Sequence, residues 1–225
     1  MIGIHQPNFA PWSGFWVKYL RSERFVILDS AQMTWGGVIN RAKMDFKGPN
    51  KWLTVATIRK SNLKINEVVI ANKDYKNELL HKIKGTYGRE EYFDLIDQII
   101  PVNEEFLFNL NMKIMHKIIQ ILCLPKKEII FLSDLNVSGH KNELLVNILK
   151  EIGEANYLSG DGARVYHDES VFKKNKIQVN FLNYEQNEEL NGHHKVIPGL
   201  SILDAILKLG PIKTREYLMQ QIVKF

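Results

Sequence analysis

The sequence predicts an α/β fold in which a mainly parallel sheet carries helices on both faces, with a helical insertion at about 74–124. Three observations support this. Apolar runs of strand length recur at Ile2 to His5, Phe25 to Leu28, Glu128 to Leu132, Ala155 to Ser159 and Ile177 to Phe181. Segments with apolar residues at helical spacing separate them, and strands that alternate with helices need crossover connections, which pair strands in parallel. No internal repeat and no low-complexity linker interrupts the 225 residues, so 1–225 reads as a single α/β domain.

Ile2 to His5 is the first strand, and Phe15, Trp16, Tyr19 and Leu20 then recur at helical spacing over about Trp12 to Ser22. Phe25 to Leu28 is the second strand and ends on Asp29. Ala31 to Arg41 has no clear periodicity; it holds Gln32, Trp35, the pair Gly36-Gly37, and Asn40-Arg41. Lys51 to Ile58 alternates as a strand after a Gly48-Pro49-Asn50 turn. Asp74 to Leu124 is helical, with apolar faces at Leu79, Leu80 and Ile83, at Tyr92, Leu95, Ile96 and Ile99, and from Phe106 through Ile119. After the Glu128 to Leu132 strand, Lys141 to Ile152 is a helix, and two more strands follow. The final helices start at about Ser201 and Ile212, and Ser201-Ile202-Leu203-Asp204 has a capping-box pattern that gives Asp204 a capping role.

At 45% hydrophobic residues the chain has the composition of an ordinary folded protein. No apolar stretch reaches the length of a membrane span, and the N-terminus lacks the regions of a signal peptide, which together predict a cytoplasmic protein. The single Cys123, in an apolar run at a helix end, reads as a small hydrophobe and excludes a disulfide scaffold or a cysteine-rich zinc site. The adjacent His193 and His194 have no carboxylate or cysteine at useful spacing, so no metal site is predicted. The net charge of +5 is uneven: between Arg41 and Arg89, twelve Lys or Arg face four Asp or Glu. A nucleotide sugar, a phosphate-bearing cofactor or an RNA would suit that surplus, although a solvated lysine-rich surface accounts for most of these residues.

The loop after the first strand carries the clearest functional signal. His5, Gln6 and Asn8 stand between an apolar strand and the prolines Pro7 and Pro11, each of which fixes its own φ and biases the residue before it toward extended geometry. Polar residues at the carboxyl end of a buried strand occupy the place where open α/β sheets bind ligands. Ser159-Gly160-Asp161-Gly162 follows another strand and should lie beside His5. Its glycines either turn backbone amides toward a ligand or serve a turn that needs positive φ.

The run IHQPNFAPWSGFW, followed by LDSAQ and INRAKM, resembles the opening of the WbqC-like family, and YLSGDGARVY at 157–166 and PGLSILDAILKLGP at 198–211 agree with it. The resemblance spans nearly the whole chain. It implies a role in assembling O-antigen or other surface polysaccharides, through acyl or aminoacyl (glycyl) transfer to the amino group of a nucleotide-linked amino sugar. The donor implied is an acyl-CoA or a charged tRNA. Two departures from the family pattern are Glu185 to His194, in place of a His-Pro-Tyr-Pro-Gln-like stretch, and Asp29-Ser30, in place of an acidic pair. The His-x-x-Asn strand end also resembles the phosphate loop of HUP-type, Rossmann-like nucleotide-binding folds, with Pro7 in place of a glycine. That likeness implies an ATP-dependent, nucleotidylating or adenylating alternative. A third reading is a non-catalytic protein that binds RNA or a protein partner through the basic region.

For transfer to an amine, His5 is the candidate base and Asp29 its orienter or an alternative base. Gln6, Asn8, Gln32, Asn40 and Arg41 are candidates for holding phosphate or carbonyl oxygens, and Trp35 for stacking. Lys141, in the loop Ser138-Gly139-His140-Lys141-Asn142, and Ser159, Gly160, Gly162 and Tyr166 complete the predicted substrate-binding set.

Overall fold

The computed structural model describes residues 1–48, 51–184, 190–191, 194–195, 197 and 199–223. Five strands form one parallel sheet: β1 (Ile2–His5), β2 (Arg24–Ile27), β5 (Glu128–Phe131), β6 (Asn156–Ser159) and β7 (Gln178–Phe181), in the order β5-β2-β1-β6-β7. Counted along the chain, this is the 3-2-1-4-5 order of a Rossmann-like sheet, which reverses direction between β1 and β6.

Strand parity divides the apolar residues between two cores. Ile2, Ile4, Val26 and Tyr157 face one side, where they pack against Val146, Ile148 and Leu149 of α5 (Lys141–Glu151) and Phe172 of α6 (Glu169–Lys174). Phe25, Ile27 and Leu158 face the larger core, which holds α1 (Ser13–Arg21), α4 (Leu107–Ile121) and the C-terminal helix α7 (Ile202–Val223). Helix α1 lies so close to β1 that a Cβ on Gly3 would fall 2.4 Å from Ser22 Oγ.

The remaining strands form two antiparallel pairs, β3 (Arg41–Lys43) with β4 (Trp52–Thr54), and β8 (Leu190–Asn191) with β9 (His194–Lys195). The strand expected over 51–58 is thus only three residues long, because the chain leaves β4 to make isolated bridges such as Thr57↔Ile70. The insertion holds α2 (Tyr75–Tyr87) and α3 (Phe93–Ile99) before α4. The two expected C-terminal helices are one helical stretch broken at Gly210, whose φ of 75° and following Pro211 make the bend. A Cβ there would fall 2.5 Å from the Tyr92 ring. Pro49, Asn50, Glu185 to Glu189 and His193 lie outside the described residues, and with them most of the Gly48-Pro49-Asn50 turn, part of the departure at 185–194 and the His193-His194 pair.

Two expectations change. Cys123 is exposed rather than buried, since the chain turns at the end of α4 through a left-handed residue, φ 47°, before Pro125. Asp204 does not cap α7. Ser201 does so, its Oγ accepting from the Leu203 N–H (3.2 Å), while Asp204 is buried, accepts from the Tyr87 hydroxyl and pairs with Lys208 at 3.1 Å.

Candidate functional site

At the carboxyl edge of the sheet the two central strands part. β1 pairs with β6 at Ile2↔Tyr157 and Gly3↔Leu158, whereas β1 stays with β2 as far as His5↔Ile27 and β6 stays with β7 as far as Ser159↔Phe181. The His5 carbonyl accepts from Leu28 on the β2 side, so the Ile4 carbonyl points the other way, toward the gap. There it accepts from the Lys18 ammonium of α1 at 2.6 Å. Lys18 is 4% exposed, and no carboxylate among the described residues pairs with it. Burial pushes its ammonium down to about 7.

His5 and Ser159 form the two lips of this crevice and, by strand parity, face opposite sides of the sheet. The His5 ring lies edge-on to Phe15 at 4.9 Å, with Nδ1 3.0 Å from the Gln6 carbonyl. A carbonyl only accepts, so Nδ1 carries the proton and Nε2 keeps its lone pair. Burial, and then the charge of Lys18, hold the imidazole down to about 3 against the opposing Gln6 bond; His5 is therefore neutral at pH 7. Across the gap the fully buried Ser159 places Oγ 2.9 Å from His167 Nε2, while His167 Nδ1 is buried without a hydrogen-bond partner. Burial and Lys18 also lower the His167 pKa.

The turn after Ser159 does not require its glycines. Gly160 has φ −75°, neither Gly160 nor Gly162 is left-handed, and a Cβ on either would meet open space. Asp161 holds the turn by accepting from the Asn183 and Tyr184 N–H groups at 3.0 and 2.8 Å. Tyr166 is 81% exposed, and its carbonyl accepts from Asn142, the neighbour of the exposed Lys141, so these two segments meet on the same edge.

The loop from His5 to Trp12 also walls a second cavity, of about 300 Å³, lined by Asn8, Trp12, Arg41, Lys43, Trp52 and Ser201 among others. The Trp12 ring folds back against Gly14, where a Cβ would fall 2.2 Å from it. It thereby covers the first turn of α1, the helix end at which a HUP-like phosphate site was expected.

The other predicted residues lie elsewhere. Asp29 is buried, with one oxygen accepting from Ser133 N–H (3.0 Å) and the other from Asn66 (3.3 Å); it ties the ends of β2 and β5 together and makes no contact with His5. Asn40 is buried and donates to the Val55 carbonyl at 3.0 Å. Gln32 is exposed, 3.5 Å from Asn62, and Trp35 lies beside Arg59, 5.6 Å from its guanidinium. Gln6 stays half-buried beside His5, its carbonyl also accepting from the Asn8 N–H at 2.9 Å.

A family model for the WbqC-like protein family matches residues 6–216. The chain belongs to the WbqC-like family. It is also similar to the uncharacterized protein Rv1507c of Mycobacterium tuberculosis, with 26% identity over 219 residues covering 93% of this chain and 94% of that one. No solved structure matches. The structure brings three of the family-like runs to the second cavity: Asn8 to Trp12 of the first loop, Arg41 to Lys43, and Gly199 with Ser201. The 157–162 run and His5 meet at the β1–β6 crevice.

Sequence reasoning missed Lys18, His167, Lys43 and Trp52. Lys18 had a signal, since a lysine in the otherwise apolar turn Phe15 to Leu20 is out of place on a helix buried all round. The others meet their partners only through tertiary contacts.

No helix among the described residues is long and apolar enough to cross a membrane.

Proposed function

We propose that this WbqC-like protein is an enzyme of surface-polysaccharide assembly that transfers an acyl or aminoacyl group to the amino group of a nucleotide-linked amino sugar. The observation that carries the reading is the parting of β1 and β6, which sets His5 and Ser159-Gly160, each within a family-like run, on either side of a crevice at the switch point of the sheet. Ligands of open α/β sheets enter at that point.

In this reading the amine nitrogen attacks the acyl carbon and the donor's sulfur or oxygen leaves with the bonding pair. The new N–C bond turns the amine into an acidic ammonium, whose proton passes to His5 Nε2. The Nδ1–Gln6 bond leaves Nε2 unprotonated for this step, and the lowered pKa that burial beside Lys18 imposes weakens it as a base. Lys18, close enough to lower the pKa of both His5 and His167, supplies positive potential where negative charge develops on the acyl oxygen. The Trp12 ring over the first turn of α1 counts against an ATP phosphate bound there, and so against the adenylating alternative.

The test is product formation from acyl-CoA or charged-tRNA donors and a panel of amino-sugar nucleotides, followed by mass spectrometry. His5→Ala should lower turnover by at least about a hundredfold, the usual scale for a lost general base, while far-UV circular dichroism stays unchanged. Full activity in that variant removes His5 from the mechanism.

A further inference from the structure

The second cavity on the 5–12 loop is separate from the crevice, since neither His5 nor Ser159 lines it. Its walls are braced by the backbone: Ser201 N–H donates to Lys43 O (2.8 Å), Ile202 N–H to Pro11 O (3.0 Å) and Phe9 N–H to Val38 O (3.1 Å), while Ser201 Oγ donates to Ala10 O (2.6 Å). A pocket held this way is formed before any ligand arrives.

Its chemistry is specific. Trp12 and Trp52 supply flat apolar surface, Arg41 and Lys43 supply positive charge, and no carboxylate is among the described lining residues. The Arg41 guanidinium lies 4.1 Å from the Trp52 ring centre and the Lys43 ammonium 5.4 Å from it. Arg41 Nε also donates to Gly37 O at 3.0 Å, and a terminal nitrogen donates to Gly36 O, so the guanidinium is fixed in place. Asn8, 6% exposed, also lines the cavity, with its Oδ1 closed off from solvent.

A flat ring with negative charge at one end meets both demands. We propose that this cavity binds a nucleoside diphosphate, with the base against the two indoles and the phosphates at Arg41 and the exposed Lys43. At about 300 Å³ the cavity stands at the small end for ligand sites, which suits a nucleoside with its phosphates leaving past Lys43. The assignment deepens the reading of a nucleotide-linked acceptor, and rests on it for linking the cavity to the transfer reaction.

Calorimetric titration of the full chain with UDP, dTDP, GDP and CDP, and with inorganic pyrophosphate for comparison, tests it. One diphosphate should bind far more tightly than pyrophosphate. Lys43→Gln, at an exposed position, should weaken that binding about tenfold, the scale of one lost charged hydrogen bond, and reduce its salt dependence. Trp52→Leu should weaken it in a variant with an unchanged circular dichroism spectrum. No binding of any of the four at millimolar concentration, pyrophosphate binding as tightly as the best of them, or equal affinity in Lys43→Gln would overturn the assignment. Diphosphate binding that Lys43→Gln weakens, with no acyl product from any donor, removes the transfer reading and leaves this one. Acyl transfer with the KM for the sugar nucleotide unchanged in Lys43→Gln does the reverse.

Discussion

Lys18→Met replaces the buried ammonium beneath the crevice with an uncharged chain of similar length. Burial lowers the Lys18 pKa to about 7 in the folded protein, against its ordinary value of 10.5 in the unfolded chain. Between those values the unfolded chain holds a proton that the folded chain has released, so wild-type stability rises with pH, whereas below the folded pKa both states are protonated and this contribution levels off. The useful window is pH 7 to 9, because burial also raises the pKa values of Tyr19, Tyr157 and Tyr184, and their titration in the unfolded chain reverses the slope at higher pH. At about 1.4 kcal/mol per pH unit, reduced near pH 7 where Lys18 is half-protonated, the wild type gains about 2 kcal/mol across that window from this residue. The variant loses the bond to the Ile4 carbonyl at every pH, a cost of about 1 kcal/mol that does not vary with pH. Urea unfolding of both proteins at pH 7, 8 and 9, with equal m-values, measures the difference. A stability gap between the two proteins that is the same at pH 7 and pH 9 would refute the claim that burial holds the Lys18 ammonium well below its ordinary pKa.

Two further substitutions probe how the loop and the C-terminal helix are held. Asn111, 1% exposed on α4, donates to the carbonyls of Pro7 (2.7 Å) and Ile39 (2.8 Å), so Asn111→Leu strands two buried acceptors and should cost about 2–4 kcal/mol in urea unfolding. An unchanged midpoint would mean that the 5–12 loop does not depend on this anchor. Asp204→Leu breaks the buried pair with Lys208 and the bond from Tyr87, and should cost about 3 kcal/mol, while adding Lys208→Met, which removes a charge then held only by Asp45 at 3.1 Å, should recover part of it. A double variant no more stable than the single one argues against a charge effect.

The sequence by itself determined the elements and the layers. Apolar runs of four residues separated by helical spacing are enough to specify a parallel sheet with two covered faces, and the WbqC-like runs single out the His5 loop and the turn after Ser159, where the proposed site lies. Both properties are local or periodic, and the chain displays them directly. Only the tertiary structure decided which polar residues work together. Asp29, next to the site in sequence order, turns to Ser133 and Asn66 because β2 ends against β5 rather than over β1. Lys18 enters the proposed site because the strands part at Ile4 and leave a carbonyl for it to meet. Trp52 and Lys43 join Asn8 and Trp12 only because Ser201 and Ile202 stitch the start of α7 to the β3–β4 hairpin and the loop, a meeting of residues up to 191 positions apart that no local pattern encodes.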